Sequence, residues 1–92
     1  LGDEDSMFNL GNFYYYGEGI SRSFAKAREW YEKAAELGNV DAMFNLGVMY
    51  YKGEGVLSNF AKAREWYEKA AEFGNADAID ELEKLRQMAI NK

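Results

Sequence analysis

Ser23-Phe24-Ala25-Lys26 spells Ser-x-x-Lys, the pattern in which a lysine amine can take the proton of a serine one helical turn away and leave a nucleophile for acyl transfer. That chemistry also needs Ser-Asp-Asn and Lys-Thr-Gly partner motifs, and the chain has neither. Glu18 and Glu54 could be imagined as paired carboxylates, but each occupies an equivalent glycine-flanked turn, where a solvated side chain is expected. The stretch Gly-Asp-Glu-Asp-Ser at 2–6 gathers oxygen ligands but lacks the spacing and terminal glutamate of a calcium loop. Residues 17–23, Gly-Glu-Gly-Ile-Ser-Arg-Ser, do not complete a phosphate-binding glycine motif. With no histidine and no cysteine, the commonest general base and the thiolate metal ligands are gone. No catalytic, cofactor-binding or metal-binding residue is assigned, and the chain is read as a non-enzyme that needs no cofactor.

The element that must carry these residues is a repeat. Tyr-Tyr-x-Gly-Glu-Gly occurs at 14–19 and again at 50–55, and residues 5–40 match 41–76 at 26 of 36 positions. Ser23 is replaced by Asn59 in the second copy, which removes a nucleophile and keeps a helix cap. Self-similarity at a period of 20–50 residues signals stacked supersecondary units. Copies this close fit a recent duplication or a sequence idealised on a consensus, and favour the second.

Helical spacing runs through both copies. Met7, Leu10, Gly11 and Tyr14 form one stripe, repeated as Met43, Leu46, Gly47 and Tyr50. Gly17 and Gly19 end that helix, a second follows, and Gly38 and Gly74 close the second helix as left-handed residues. The spacing predicts helices over 5–16, 24–37, 41–52, 60–73 and 77–90, opened by Asp5, Ser23, Asp41, Asn59 and Asp77. Glu29–Lys33 and Glu65–Lys69 read as i,i+4 ion pairs. Gly11 and Gly47 cost helix propensity, so close approach is expected there, with Ala27, Ala34, Ala63 and Ala70 as the facing residues. The tyrosine and tryptophan stripe at Trp30/Tyr31 and Trp66/Tyr67 reads as core.

The string "AMFNLGVMYYKGEGVLSNFAKAREWYEKAAEFGN" resembles a Sel1-like repeat, the relative of the tetratricopeptide repeat. The matching residues are Leu46-Gly47, Tyr50, Gly53-x-Gly55-Val56, Lys62-Ala63, Trp66-Tyr67 and Lys69-Ala70-Ala71-Glu72-x-Gly74, and the first copy follows with Ile20 in place of Val56. The resemblance implies an all-α, right-handed superhelical α/α solenoid. One domain spans 1–92, with repeats at 5–40 and 41–76 and a capping helix at 77–92. In the last segment Ile79, Leu82, Leu85 and Met88 keep an apolar stripe, and Glu83 stands where the internal glycine should be. Such arrays serve mainly as adaptors that hold proteins or peptides, and many secreted members carry one cysteine pair per repeat, a bracing that does not carry over to this chain. Some members have been linked to β-lactams, which makes a β-lactam-interacting enzyme the remote alternative.

Net charge of −5, with both signs mixed through each copy, argues against a nucleic-acid surface. No apolar run approaches the ~18 residues of a membrane span. No signal peptide is visible, and the chain reads as soluble. Leu1 is not an initiator, so an upstream segment is compatible with it. A helical projection puts Phe8, Asn12, Tyr15 and Tyr16 on one arc, with Phe44, Val48, Tyr51 and Lys52 as the second copy's share. These residues are the candidate lining of a concave groove for a protein or peptide partner. Phe8 and Phe13 are the candidates for self-association, a homodimer through the bare N-terminal repeat. The alternative is a designed or truncated scaffold whose main property is folding and self-association.

Overall fold

The computed structural model describes residues 3–17, 19 and 21–90, so Glu18 and Ile20 lie outside the described residues. Those residues hold five helices and no strand: α1 Glu4–Tyr16, α2 Phe24–Glu36, α3 Val40–Lys52, α4 Phe60–Glu72 and α5 Ala76–Ile90. Every boundary lies within one residue of the spacing-based expectation. The helices pack as sequential neighbours, α1 on α2, α2 on α3, α3 on α4 and α4 on α5, giving an elongated body of 43 × 26 × 16 Å. This is a solenoid of two helix pairs and a fifth helix.

The turns explain why the helices end where they do. Gly17 and Gly53 sit at φ 70° and 75°, each sending its N–H back to Phe13 O (3.0 Å) and Met49 O (2.8 Å). A left-handed residue of this kind terminates a helix without a Cβ clash. At the other joints Gly38 (φ 98°) and Gly74 (φ 90°) turn the chain. Asn39 N then bonds Ala34 O at 3.0 Å, and Asn75 N bonds Ala70 O at 3.1 Å. Each of these asparagines also opens the next helix, Asn39 Oδ1 accepting from Ala42 N and Asn75 Oδ1 from Ala78 N, both at 2.8 Å. One Gly-Asn pair thus closes one helix and starts another.

These bonds correct the expected caps. Asp3, Asn39 and Asn75 cap the first, third and fifth helices, two residues before Asp5, Asp41 and Asp77. The aspartates lie inside the first turn, where a carboxylate favours the positive end of the helix dipole. Ser23 and Asn59 cap α2 and α4 as expected, accepting from Lys26 N (3.2 Å) and Lys62 N (3.0 Å). The expected Glu29–Lys33 and Glu65–Lys69 pairs do not form. Lys33 Nζ lies 4.8 Å from the Trp30 ring centroid and Lys69 Nζ 4.7 Å from that of Trp66, a placement in which the indole face competes for the cation.

The core is built on a ring over a glycine. Tyr31 is fully buried and Tyr67 nearly so, and Ala27, Ala34, Ala63 and Ala70 are fully buried around them. A Cβ added at Gly47 would lie 2.5 Å from the Tyr67 ring, and Gly11 stands in the same relation to Tyr31. The close approach at the helical glycines is therefore to tyrosine rings, with the alanines beside them, and not to the alanines themselves. The expected apolar stripe of α5 is only partly covered: Leu82 and Leu85 are half-buried, whereas Ile79 stays 51% exposed and Met88 42%.

Gly47→Leu should overpack the α3–α4 contact and cost about 1–3 kcal/mol, read as a lower urea midpoint by circular dichroism. A midpoint equal to the parent's would show that the ring yields without cost. The buried hydroxyls give a second outcome. Burial holds Tyr67 above the ordinary tyrosine range, and pushes Tyr31 up to about 12. An unfolded tyrosine titrates near pH ~10, so above that pH the unfolded chain releases protons that the folded chain keeps. Stability from these groups is whole below pH ~10 and is lost as pH rises through the folded values. Urea midpoints should change little from pH 7 to 9 and drop steadily from 10 to 12, with a shallower drop in Tyr67→Phe.

Candidate functional site

Side chains of α1 approach the second repeat at the C-terminal end of the helix. Tyr15 Oη donates to Glu54 Oε1 at 2.8 Å, linking the first repeat to the turn after α3. Burial first, and the Glu54 carboxylate second, hold the Tyr15 hydroxyl above its ordinary range. Glu54 is thus a half-buried acceptor, and the expectation that it is solvated is corrected. Glu18, its counterpart, lies outside the described residues. Tyr31 Oη donates to Asn12 Oδ1 at 2.6 Å. Burial raises the Tyr31 hydroxyl, and the neighbouring Asn45 amide, from the second repeat, opposes that rise.

Tyr16 is 65% exposed and stands edge-on to Tyr15, with ring centroids 4.9 Å apart. Together with Asn45 and Val48 these two tyrosines line a small hollow of about 130 Å³. Of the sequence-derived groove residues, the structure therefore brings Tyr15, Tyr16 and Val48 together, with Asn12 beside them through Tyr31. Phe8 and Phe44 turn inward. Each is half-buried, with its ring 5.8 Å from Tyr31 and 5.6 Å from Tyr67 respectively. Tyr51 stacks on Phe60 at 5.0 Å, and Lys52 is exposed. Asn45 and Glu54 were missed as site residues. Their signal was present, since both recur in the repeated strings Met-Phe-Asn-Leu-Gly and Gly-Glu-Gly.

The Ser-x-x-Lys pair is spent on structure. Ser23 Oγ accepts from the Lys26 backbone N–H, and Lys26 Nζ lies 5.4 Å from the Tyr14 ring centroid. Lys62 repeats that position near Tyr50, at 6.0 Å. Among the described residues no group of three or more acidic side chains converges as a metal site would require, and no helix is long and apolar enough to cross a membrane. At the N-terminal end Leu10 and Phe13 are 38% and 39% exposed. The exposed apolar pair of that end is therefore Leu10 with Phe13, and Phe8 is occupied by Tyr31.

The chain matches the family described as Sel1 repeat over residues 4–39 and 40–75. Among solved structures it is similar to a Sel1 repeat protein from Oxalobacter formigenes, with 38% identity and a TM-score of 0.89, covering 91% of this chain and 35% of that one. It is also similar to c5321, a protective antigen of uropathogenic Escherichia coli strains with an SLR fold, at 38% identity and a TM-score of 0.93. That match covers 96% of this chain and 19% of the antigen. A third likeness is to Helicobacter pylori cysteine rich protein B, at 34% identity and a TM-score of 0.79, covering 84% and 58%. The chain spans between about a fifth and three fifths of the length of these structures. No curated protein matches it significantly in sequence. With both helix pairs matched in register, and the ring-over-glycine contact present twice, the chain belongs to the Sel1 repeat family.

Proposed function

We propose that this chain is a binding module that holds a segment of another protein in a short groove along α1 and α3. Sel1 repeats are generally protein-interaction scaffolds, and the hollow between the two repeats supports that role here. It joins an exposed aromatic, Tyr16, to an amide, Asn45, and an apolar wall, Val48. A hollow of about 130 Å³ takes one side chain and not a small-molecule substrate, for which pockets of roughly 300–1,000 Å³ are usual. Tyr15, Asn12, Tyr51 and Lys52 extend the lining, while Phe8 and Phe44 shape it from beneath. Tyrosines with few rotamers suit contacts of this kind. The identity of α2 and α4 favours a second reading, a scaffold whose surfaces join copies of itself.

A displayed library of random peptides panned on the immobilised chain tests the first reading. Enriched sequences should bind at least tenfold more weakly, about 1.4 kcal/mol, to Tyr16→Ala and to Asn45→Ala. Leu10→Glu, at the far face, should bind them as the parent does. Absence of any enriched sequence, or binding indifferent to both groove variants, would count against the groove.

A further inference from the structure

The two copies leave their equivalent tyrosine hydroxyls in different states. In the first copy each is spent on an oxygen. Tyr31 Oη donates to Asn12 Oδ1 at 2.6 Å, with the Asn45 amide beside it, and Tyr15 Oη donates to Glu54 Oε1 at 2.8 Å. In the second copy the same register positions offer no such acceptor. Val48 stands where Asn12 does, and Ile90 where Glu54 does. The Tyr51 hydroxyl reaches the Met88 sulfur at 3.6 Å, and a thioether is a weak acceptor. Glu81 replaces Asn45, and its Oε2 is engaged by Lys84 Nζ at 3.4 Å.

Tyr67 is the sharper case. It is only 2% exposed, and its hydroxyl has no hydrogen-bond partner among the described residues. Among those residues Arg28 Nε is the fully enclosed polar side-chain atom left without a partner, so the Tyr67 hydroxyl is open to the surface at its tip. The repeat gives its direction. Tyr31 lies on Gly11 as Tyr67 lies on Gly47, and Phe8 and Phe44 pack against the two rings at 5.8 and 5.6 Å. That placement brings Tyr31 Oη to Asn12, and it brings Tyr67 Oη out beside Val48, on the groove side of α3. Burial first, and the Glu81 carboxylate second, keep this hydroxyl protonated above the ordinary tyrosine range. A buried donor without an acceptor is costly, and a bound acceptor removes that cost.

We infer that the Tyr67 hydroxyl donates to a main-chain carbonyl of the segment held in the groove, so that the second repeat reads the partner by its backbone. This rests on the groove proposed as the module's function. The acceptor is neutral, because an anion brought to this oxygen would meet the field of Glu81. The segment is extended, since the carbonyls of a helix are already spent on its own N–H groups, whereas an extended strand keeps them for a partner. The two halves of the groove then differ in what they recognise. At the first repeat the hydroxyl is closed by Asn12, and the hollow beside Tyr16 takes a side chain. At the second, Val48 leaves the hydroxyl open for the backbone.

The probe is the uncharged peptide acetyl-Ala-Leu-Ala-amide, titrated from ~1 to ~100 mM into the chain carrying carbon-labelled tyrosine at Cζ. The Tyr67 resonance should move and saturate together with that of Tyr16, and sodium acetate over the same range should leave Tyr67 in place. Tyr67→Phe and Val48→Asn, followed at Tyr16, should each weaken binding by about threefold or more. Val48→Asn supplies the acceptor that Asn12 supplies in the first copy, so its effect should largely vanish in a Tyr67→Phe background. A Tyr16 response with Tyr67 silent, or binding indifferent to both variants, would overturn this inference and leave the groove standing. Silence at both tyrosines would overturn the groove with it. A Tyr67 response to acetate larger than that to the peptide would overturn the neutral carbonyl, since the site would then select an anion.

Discussion

Two aromatic rings lying on two helical glycines set the geometry of this molecule. A helix pair can bring its axes close only where one partner has no side chain, and Gly11 and Gly47 supply that absence at the cost of about 1 kcal/mol of helix propensity each. Tyr31 and Tyr67 fill the space so completely that a methyl group would not fit. The flanking alanines are buried because the rings bring the helices together. Phe8 and Phe44 pack on the same two rings, so these aromatics are placed by the contact that also fixes the hairpin.

The second level of organisation joins one hairpin to the next, and it uses different chemistry. Asn39 receives the end of α2 through its N–H and begins α3 through its side chain, which leaves little freedom in the angle between the units. Its Nδ2 also donates to Glu4 Oε1 at 3.2 Å, tying back to the start of α1. Tyr15 and Glu54 close the same joint from the other end of α1. The repeated Tyr-Tyr-x-Gly-Glu-Gly string is accounted for by this arrangement. The tyrosine of the first unit pairs with the glutamate of the second, so the joint draws one half of the string from each copy.

This division also decides how much of the molecule is legible in its sequence. Helix ends follow from local chemistry, glycine φ and cap residues, and the expected boundaries were within one residue. The cap identities shifted from aspartate to asparagine because the Gly-Asn pair serves two helices at once, which a helix-by-helix reading does not consider. A projection at 100° per residue gives the face of a side chain and not the offset between units, so Glu54 looked solvated and the glycines looked paired with alanines. The exposure of Ile79 has the same origin. In register with the buried Met43, it borders an open cleft beside Arg64 and Glu68 of α4, while Ala78 is buried and Leu82 and Leu85 are half-buried. The groove residues Tyr15, Tyr16 and Val48 were legible as an arc, but the amide that completes their hollow, Asn45, lies one repeat away from the tyrosines.

The ten positions at which the two copies differ carry the functional argument further. None is a glycine or tyrosine of the ring contact, and none lies in the thirteen residues shared by α2 and α4. Four lie in the paired helices α1 and α3. Asn12/Val48 and Tyr16/Lys52 belong to the proposed groove, and Ser6/Ala42 and Phe13/Met49 share the register that in α3 is buried against the first unit. The rest are in the turns, at 20–23 and 56–59, and at the joints, at 37 and 73 and at 40 and 76. At Asn12/Val48 the exchange reaches the tyrosine, since Asn12 Oδ1 accepts from the Tyr31 hydroxyl and valine offers no acceptor, while the ring itself stays against its glycine in both copies. At the unit-facing positions the exchange follows burial instead. Met49, fully buried, is the flexible filler that an irregular gap takes, whereas Phe13 stands 39% exposed. The hairpin is thus a fixed platform whose outward faces can change independently, and those faces are where a partner segment or a further unit would be selected.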